Sequence, residues 1–186
     1  MGRVSQAQAQ ANRRRVVDTA SRLFRERGTQ VSVAELMKAS GLTHGGFYKQ
    51  FDSKEALIDE ATGHAFDELG QRHREGLAQH AGHVGAAQRA LIESYLSTGH
   101  RDGAADGCPA AALATDMARD HGTSEAHHAY TKGVSDFADW LTTEDQDGIT
   151  RLCTMVGALV LSRATKGSPL SEEILAAARD ALTTTH

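Results

Sequence analysis

The sequence predicts an all-α protein, on three observations. Only two of its 186 residues are proline, so little interrupts a helix. Its runs of β-branched residues are short. Alanine is abundant, and apolar residues recur with the helical period throughout. About nine helices can be drawn on that pattern.

Residues 1–11, in which Gln and Ala alternate, read as a mobile arm. The first helix runs near 12–27, with Val16, Ala20, Leu23 and Phe24 on one face. Ser32 followed three positions later by Glu35 forms a capping box, so a second helix starts at Val33. Ser40-Gly41 ends it, because glycine takes the left-handed conformation past a helix terminus. Leu42 plugs the turn, and Thr43 N-caps a third helix. Phe47 and Phe51 share the inner face of that helix. Thr43, His44, Gly45, Tyr48, Lys49 and Gln50 remain outside. Gly45 and Gly46 each cost about 1 kcal/mol relative to alanine in a helix, and close approach to a DNA backbone or base edge would repay them. Two short helices joined by a tight turn are the layout of a helix-turn-helix.

Charge is divided in the same place. Residues 1–54 hold ten Lys/Arg and four Asp/Glu, a net +6, while residues 55–186 hold ten and twenty, a net −10. A basic head on an acidic body points to a nucleic-acid partner for the head.

The segment from Arg13 to about Phe66 resembles the DNA-binding domain of the TetR family of one-component bacterial regulators. The resemblance rests on Val16-Val-Asp-Thr-Ala-Ser-Arg-Leu-Phe-Arg-Glu-Arg-Gly28, on Gly41-Leu-Thr-His-Gly-Gly-Phe-Tyr48, and on Phe51-Asp-Ser-Lys-Glu-Ala-Leu57. Met37 and Gln50 depart from the family's commoner alanine and histidine. The resemblance implies a three-helix DNA-binding domain over residues 12–52 and a helical effector-binding and dimerisation domain over 53–186. It implies base-edge contacts from Thr43, His44, Gly45 and Lys49, because lysine donates to guanine and threonine meets polar groups or a thymine methyl. Ser32, Tyr48 and Lys54 resemble phosphate-contacting positions, and Arg13, Arg14 and Arg15 would reach the backbone or the minor groove. The expected activity is that of a homodimeric repressor, released from a palindromic double-stranded DNA operator by a small-molecule effector.

Beyond the head, a fourth helix begins at the N-cap Ser53, carries Leu57, Ile58, Ala61, Ala65 and Leu69 inward and continues toward residue 79. Gly82 to Gly85 is a break, and a helix follows near 86–99. Residues 100–107 form a loop rich in turn residues. Cys108-Pro109 opens a helix to about 119, with proline in the tolerated first turn. Helices near 124–142, 145–166 and 171–183 complete the chain. On the last two, Leu152, Val156, Leu159, Val160, Ile174, Ala178 and Leu182 form apolar stripes that, by the resemblance, pair with a second copy. Cys153, on an apolar side, reads as core or interface. Tyr95, Cys108, Leu113, Met117, Tyr130, Phe137 and Trp140 are the candidates for an effector pocket.

Two cysteines far apart make no disulfide framework, so a reducing cytoplasm is the expected compartment. No apolar run reaches about 18 residues and no signal peptide precedes the basic arm, so neither membrane insertion nor export is expected. Of the ten histidines, His121, His127 and His128 cluster near one loop and His80 and His83 near another, and none of these pairs at helical spacing with a carboxylate in a usual ligand arrangement, so neither metal nor cofactor is expected. Cys108 is the alternative trigger: a helix N-terminus lowers a thiol pKa and would make it a redox sensor. An enzyme using Cys108 with His100 or His121 as base lacks an orienting acid, a nucleotide loop and a metal signature, so an enzyme is not expected.

Overall fold

A computed structural model of the chain describes residues 6–120 and 122–184. Ten α-helices and two 3-10 segments follow in order, with no strand among the described residues. They are α1 (Gln6–Arg27), α2 (Val33–Ala39), the 3-10 segment His44–Lys49, α3 (Lys54–Gln79), α4 (Val84–Tyr95), α5 (Thr98–Asp102), the 3-10 turn Ala104–Asp106, α6 (Pro109–Ala112), α7 (Ala114–Arg119), α8 (Glu125–Leu141), α9 (Gly148–Ala164) and α10 (Leu170–Thr183). The count exceeds nine for local reasons. The expected loop at 100–107 is itself helical. The helix expected after Cys108 divides into α6 and α7 at Leu113, which caps both. The helix expected from residue 12 begins at Gln6, so residues 6–11 of the supposed arm are its exposed first turns; residues 1–5 lie outside the described residues.

Side-chain caps fix several of the helix starts. Ser32 accepts from the Glu35 amide at 3.3 Å while Glu35 accepts from the Ser32 amide at 3.1 Å, the reciprocal capping box. Ser53, Ser124 and Asp147 accept from Ala56, His127 and Thr150 in the same way. Gly41 closes α2 at φ +68°, a conformation that costs glycine little.

Two apolar cores result. The head core packs Val16, Ala20 and Phe24 of α1 against Leu36, Met37, Phe47, Phe51, Leu57 and Ala61. Leu113, Met117 and Ala126, from α6–α8 and their junctions, complete it. The head is therefore closed from below by segments far along the chain. The second core gathers Leu69, Ile92, Leu96, Phe137, Leu141, Leu152, Met155, Leu159 and Leu175. Helix α3 serves both, giving Leu57 and Ala61 to one and Leu69 to the other.

Buried polar groups fasten the elements. The carbonyls that end α8 are held by two side chains: Gln88 donates to Trp140 O at 2.6 Å, and buried Arg151 donates to Leu141 O at 2.6 Å and to Gln88 Oε1 at 3.0 Å. A cation at a helix C-terminus is favourably placed against the helix dipole.

Candidate functional site

The head presents one face outward. Thr43, His44, Gly45, Tyr48 and Lys49 are all exposed, over a floor of Phe47 and Phe51 whose rings stack at 5.4 Å. Tyr48 is 68% exposed and meets Phe47 edge-on at 5.1 Å, so its phenol is not core. The segment that carries these residues is a 3-10 helix rather than the α-helix expected, and Thr43 stands at its N-cap without making a side-chain cap bond. Its hydroxyl stays available to a partner. A Cβ added to Gly45 would meet nothing within 4 Å, and one on Gly46 would reach only ordinary contact with Met37 at 3.6 Å. Packing within the chain thus does not demand this glycine pair. Met37 is fully buried, with its methyl lying beneath Gly46.

Two expected DNA contacts are engaged elsewhere. Arg13 donates to the Gln50 carbonyl, pairs with Glu60 at 2.5 Å and lies 4.3 Å over the Phe51 ring. It braces the end of the 3-10 segment against α1. Ser32 donates its hydroxyl proton to Glu35 at 2.9 Å, which in turn pairs with Arg27 at 2.9 Å. The Arg27 and Ser32 hydrogen bonds hold the Glu35 pKa down at about 2, so the hydroxyl faces a carboxylate rather than offering a proton to phosphate. Arg14 and Arg15 remain exposed, and Lys54 is half-buried at the first residue of α3. Unpaired amides at that helix start attract phosphate.

The pocket candidates do not converge on one cavity. Leu113 and Met117 belong to the head core, and Tyr130 packs against it while donating to Ala110 O at 2.7 Å. Met117 and its α7 neighbours Asp116 and Arg119 instead line a separate cavity of about 240 Å³ against Thr29, Gln30 and Ile58. Phe137 and Trp140 line a cavity of about 390 Å³ between α3 and α8. Tyr95 and Cys108 line another of about 220 Å³. His73, which the sequence reading missed, lines both. It is one turn beyond Leu69 on the same inward face of α3, and that spacing was the available signal. Its ring stacks on Trp140 at 4.5 Å and approaches Phe137 at 4.7 Å. Burial, reinforced by Arg72 and Arg74, lowers its pKa to about 4.

Cys108 lacks the lowered thiol pKa on which the sensor expectation rests. It is 3% exposed, and burial raises its thiol pKa despite help from Tyr95 and nearby amides. The desolvation of a closed site outweighs a four-residue helix. His100 is no base for it: its Nε2 accepts from the Cys108 backbone amide at 3.2 Å, and its Nδ1 is on Tyr95 O at 2.8 Å. His121 lies outside the described residues. No three His, Cys, Asp or Glu side chains come together as a metal site among the described residues.

The segment Asp106-Gly107-Cys108 lines the smaller cavity and is also gripped by the head. Arg22 of α1 pairs with Asp106, and Arg72 donates to Asp106 O at 2.8 Å. Buried Arg25 of α1 donates to Gly107 O at 3.4 Å and pairs with Glu68 at 2.9 Å. Farther along, Asp116 accepts from the Thr29 amide at 2.9 Å, in the turn that joins α1 to α2.

The expected interface stripes are partly core. Leu152, Leu159 and Ala178 are buried within the chain, and Ile174 and Leu182 are partly covered against the same core. Helix α9 is apolar nearly all round, and its other side is what stays open. Ile149, Val160 and Leu161 are 64%, 45% and 56% exposed. Cys153, expected in core or interface, is exposed and free on this side, and Val156 is half-buried beside it. No described helix is long and apolar enough to cross a membrane.

Residues 16–61 match the family described as "Bacterial regulatory proteins, tetR family". The transcriptional repressor KstR2 of Rhodococcus jostii is 34% identical over 89 residues, which are 47% of this chain and 41% of KstR2. The chain spans less than half the length of the curated relatives it matches. In fold it is similar to the reduced form of Escherichia coli NemR, with TM-score 0.77 and 20% identity over 93% of this chain and 95% of that one. It is also similar to AibR in complex with isovaleryl coenzyme A and operator DNA, with TM-score 0.61 and 16% identity over 91% and 97% of the two chains.

Proposed function

We propose that the chain, whose residues 16–61 match the tetR family of bacterial regulatory proteins, is a DNA-binding repressor of transcription whose grip on an operator is set by a small molecule. The carrying observation is the outward set Thr43, His44, Gly45, Tyr48 and Lys49 on a glycine-bearing segment over buried Phe47 and Phe51. Bare backbone at Gly45 lets the segment lie close against a groove. Arg14, Arg15, Lys49 and Lys54 supply the phosphate contacts that give affinity, and the outer residues of the 3-10 segment read base edges. KstR2 is a repressor, and AibR is seen with operator DNA. The relatives regulate rather than catalyse, and this chain is read the same way. Acting on the chromosome places it in the cytoplasm.

The open side of α9, with Ile149, Val160 and Leu161, together with α10, pairs with a second copy. A dimer of this kind sets two heads about one DNA turn apart, roughly 34 Å, on a palindrome. A molecule in the smaller cavity touches Asp106–Cys108, the segment that Arg22 and Arg25 of the head hold. If it binds the form that does not fit DNA more tightly, it releases the operator. The thiol-triggered alternative is disfavoured by the burial of Cys108, and a Cys108→Ser variant that still responds would set it aside.

The test is binding of the purified protein to the intergenic DNA beside its own gene at two salt concentrations. Tight, sequence-selective and salt-sensitive binding is expected. Weak binding, equal for unrelated DNA at both salt concentrations, would reject that DNA as the operator.

A further inference from the structure

We infer that the cavity beside Tyr95 binds an uncharged, ring-sized molecule through a hydroxyl or carbonyl oxygen held between His73 and Tyr95. The inference rests on the effector reading above and names the chemistry of its ligand. The cavity holds about 220 Å³ and is walled by Leu69, Leu91, Tyr95 and His73, with Cys108 at one side. Its polar groups fall into two sets. Both nitrogens of His100 are in use, on Tyr95 O and the Cys108 amide, and Arg72, exposed at the mouth, is donating to Asp106 O. The other set is idle. His73 Nε2 and the Tyr95 hydroxyl are buried without a hydrogen bond of normal geometry, on residues only 7% and 4% exposed, and the Cys108 thiol beside the phenol is only a weak partner for it. Both residues line this one cavity, and both rings approach Phe137, at 4.7 and 6.4 Å.

Buried polar atoms are nearly always satisfied, and two idle ones on the wall of one cavity mark the place of an absent partner. A hydroxyl oxygen suits both, accepting from one and donating to the other, and a carbonyl oxygen can accept from two donors. Burial disfavours the charged form of each residue: it lowers the His73 pKa to about 4 and raises that of Tyr95 well above the usual phenol. The nearest cations, Arg72 and Arg163, are already donating to the carbonyls of Asp106, His100 and Arg101, so a charged head group would enter without a free counter-charge at the inner end. The carbon lining of Leu69 and Leu91 accommodates the body of a small ring.

The chain carries its own reporter, since Trp140 is the single tryptophan and stacks on His73. The experiment titrates the full-length protein with cyclohexanol, phenol and benzoate, following Trp140 emission and thermal midpoint, and repeats each titration on Tyr95→Phe. The first two probes are expected to bind saturably and benzoate not to bind. Tyr95→Phe, which keeps the ring, is expected to fold with equal or higher stability and to bind about tenfold more weakly, the loss of one hydrogen bond. Binding of no probe, meaning that the cavity holds water only, would overturn the inference. So would equal affinity for Tyr95→Phe, or tighter binding of benzoate. A DNA-binding arm on the same preparation separates the two ideas. Normal operator binding with no response of Trp140 to the neutral probes sinks the ligand chemistry alone. Saturable, Tyr95-dependent binding that leaves operator affinity unchanged upholds the chemistry and sinks the effector role.

Discussion

Arg13 separates scaffold from contact. Its guanidinium donates to the Gln50 carbonyl, pairs with Glu60 at 2.5 Å and covers Phe51 at 4.3 Å. A charge-assisted hydrogen bond to a carbonyl contributes about 1.5–3 kcal/mol, and a cation over an exposed ring about 0.5–1 kcal/mol. The ion pair adds less than about 1 kcal/mol, because both its side chains are 41% exposed. These contributions overlap, so Arg13→Ala is expected to cost about 2 kcal/mol. For a chain of this length that is about 4–8 °C in Tm. Operator affinity falls as well, because Gln50 and Phe51 end the segment that carries Tyr48 and Lys49. The diagnostic is the salt dependence. Losing a brace leaves the slope of log K against log[salt] unchanged, whereas losing a phosphate contact reduces it by about 1. Arg14→Ala and Arg15→Ala are expected to show the opposite pattern, with unchanged Tm and a shallower slope. An Arg13→Ala protein with wild-type Tm and a shallower slope would refute this assignment and return Arg13 to the DNA.

Acidification provides a second prediction. His73 is neutral when folded down to about pH 4, while in the unfolded chain it takes up a proton near pH 6.5. The unfolded state therefore binds more protons between these values, and stability falls as pH drops from about 6.5 to 4, by at most about 3 kcal/mol. His73→Phe should flatten most of that slope in urea melts taken across the range. Gly148→Ala should be among the most disruptive single changes: its Cβ would strike the Ala138 carbonyl and come within 2.5 Å of Thr142 Oγ1. Backbone there cannot yield cheaply, so a loss of about 3 kcal/mol is expected from the urea midpoint; a loss below about 1 kcal/mol would show that α9 slides freely. Asp116→Ala strands the Thr29 amide on a residue only 7% exposed and should cost about 1–3 kcal/mol, with the protection of the Thr29 amide against hydrogen exchange lost first.

The head was legible because its signals are local. Ser32 and Glu35 are three residues apart, Gly41 needs only its own φ, and Phe47 and Phe51 sit one turn from each other. The partners of Arg13 were not legible, because Gln50 lies 37 residues away and only the packed fold brings it near. Leu113 and Met117 read as pocket residues for the same reason, since the head-core residues they join are distant in sequence. On α9 the difficulty was chemical. With Ile149, Leu152, Val156, Leu159 and Val160 spread round the helix, periodicity cannot say which side faces inward, and the choice falls to α8 and α10. Cys108 misled because the helix-terminus argument ignores depth.

Helix α3 has a mechanical consequence. Its 26 residues form one continuous element, with Leu57 in the head core and His73 at the cavity wall. Sixteen residues separate the two, or about 24 Å along the axis. Pivoting such a rod by about 5° at the cavity end carries the other end sideways by about 2 Å. A side chain displaced by a fraction of its own width therefore becomes, one head away, a mismatch of the order of a hydrogen-bond length. In the proposed dimer, two heads tilting in opposite directions would double the error in their separation, and a rigid double helix would register an event it never touches.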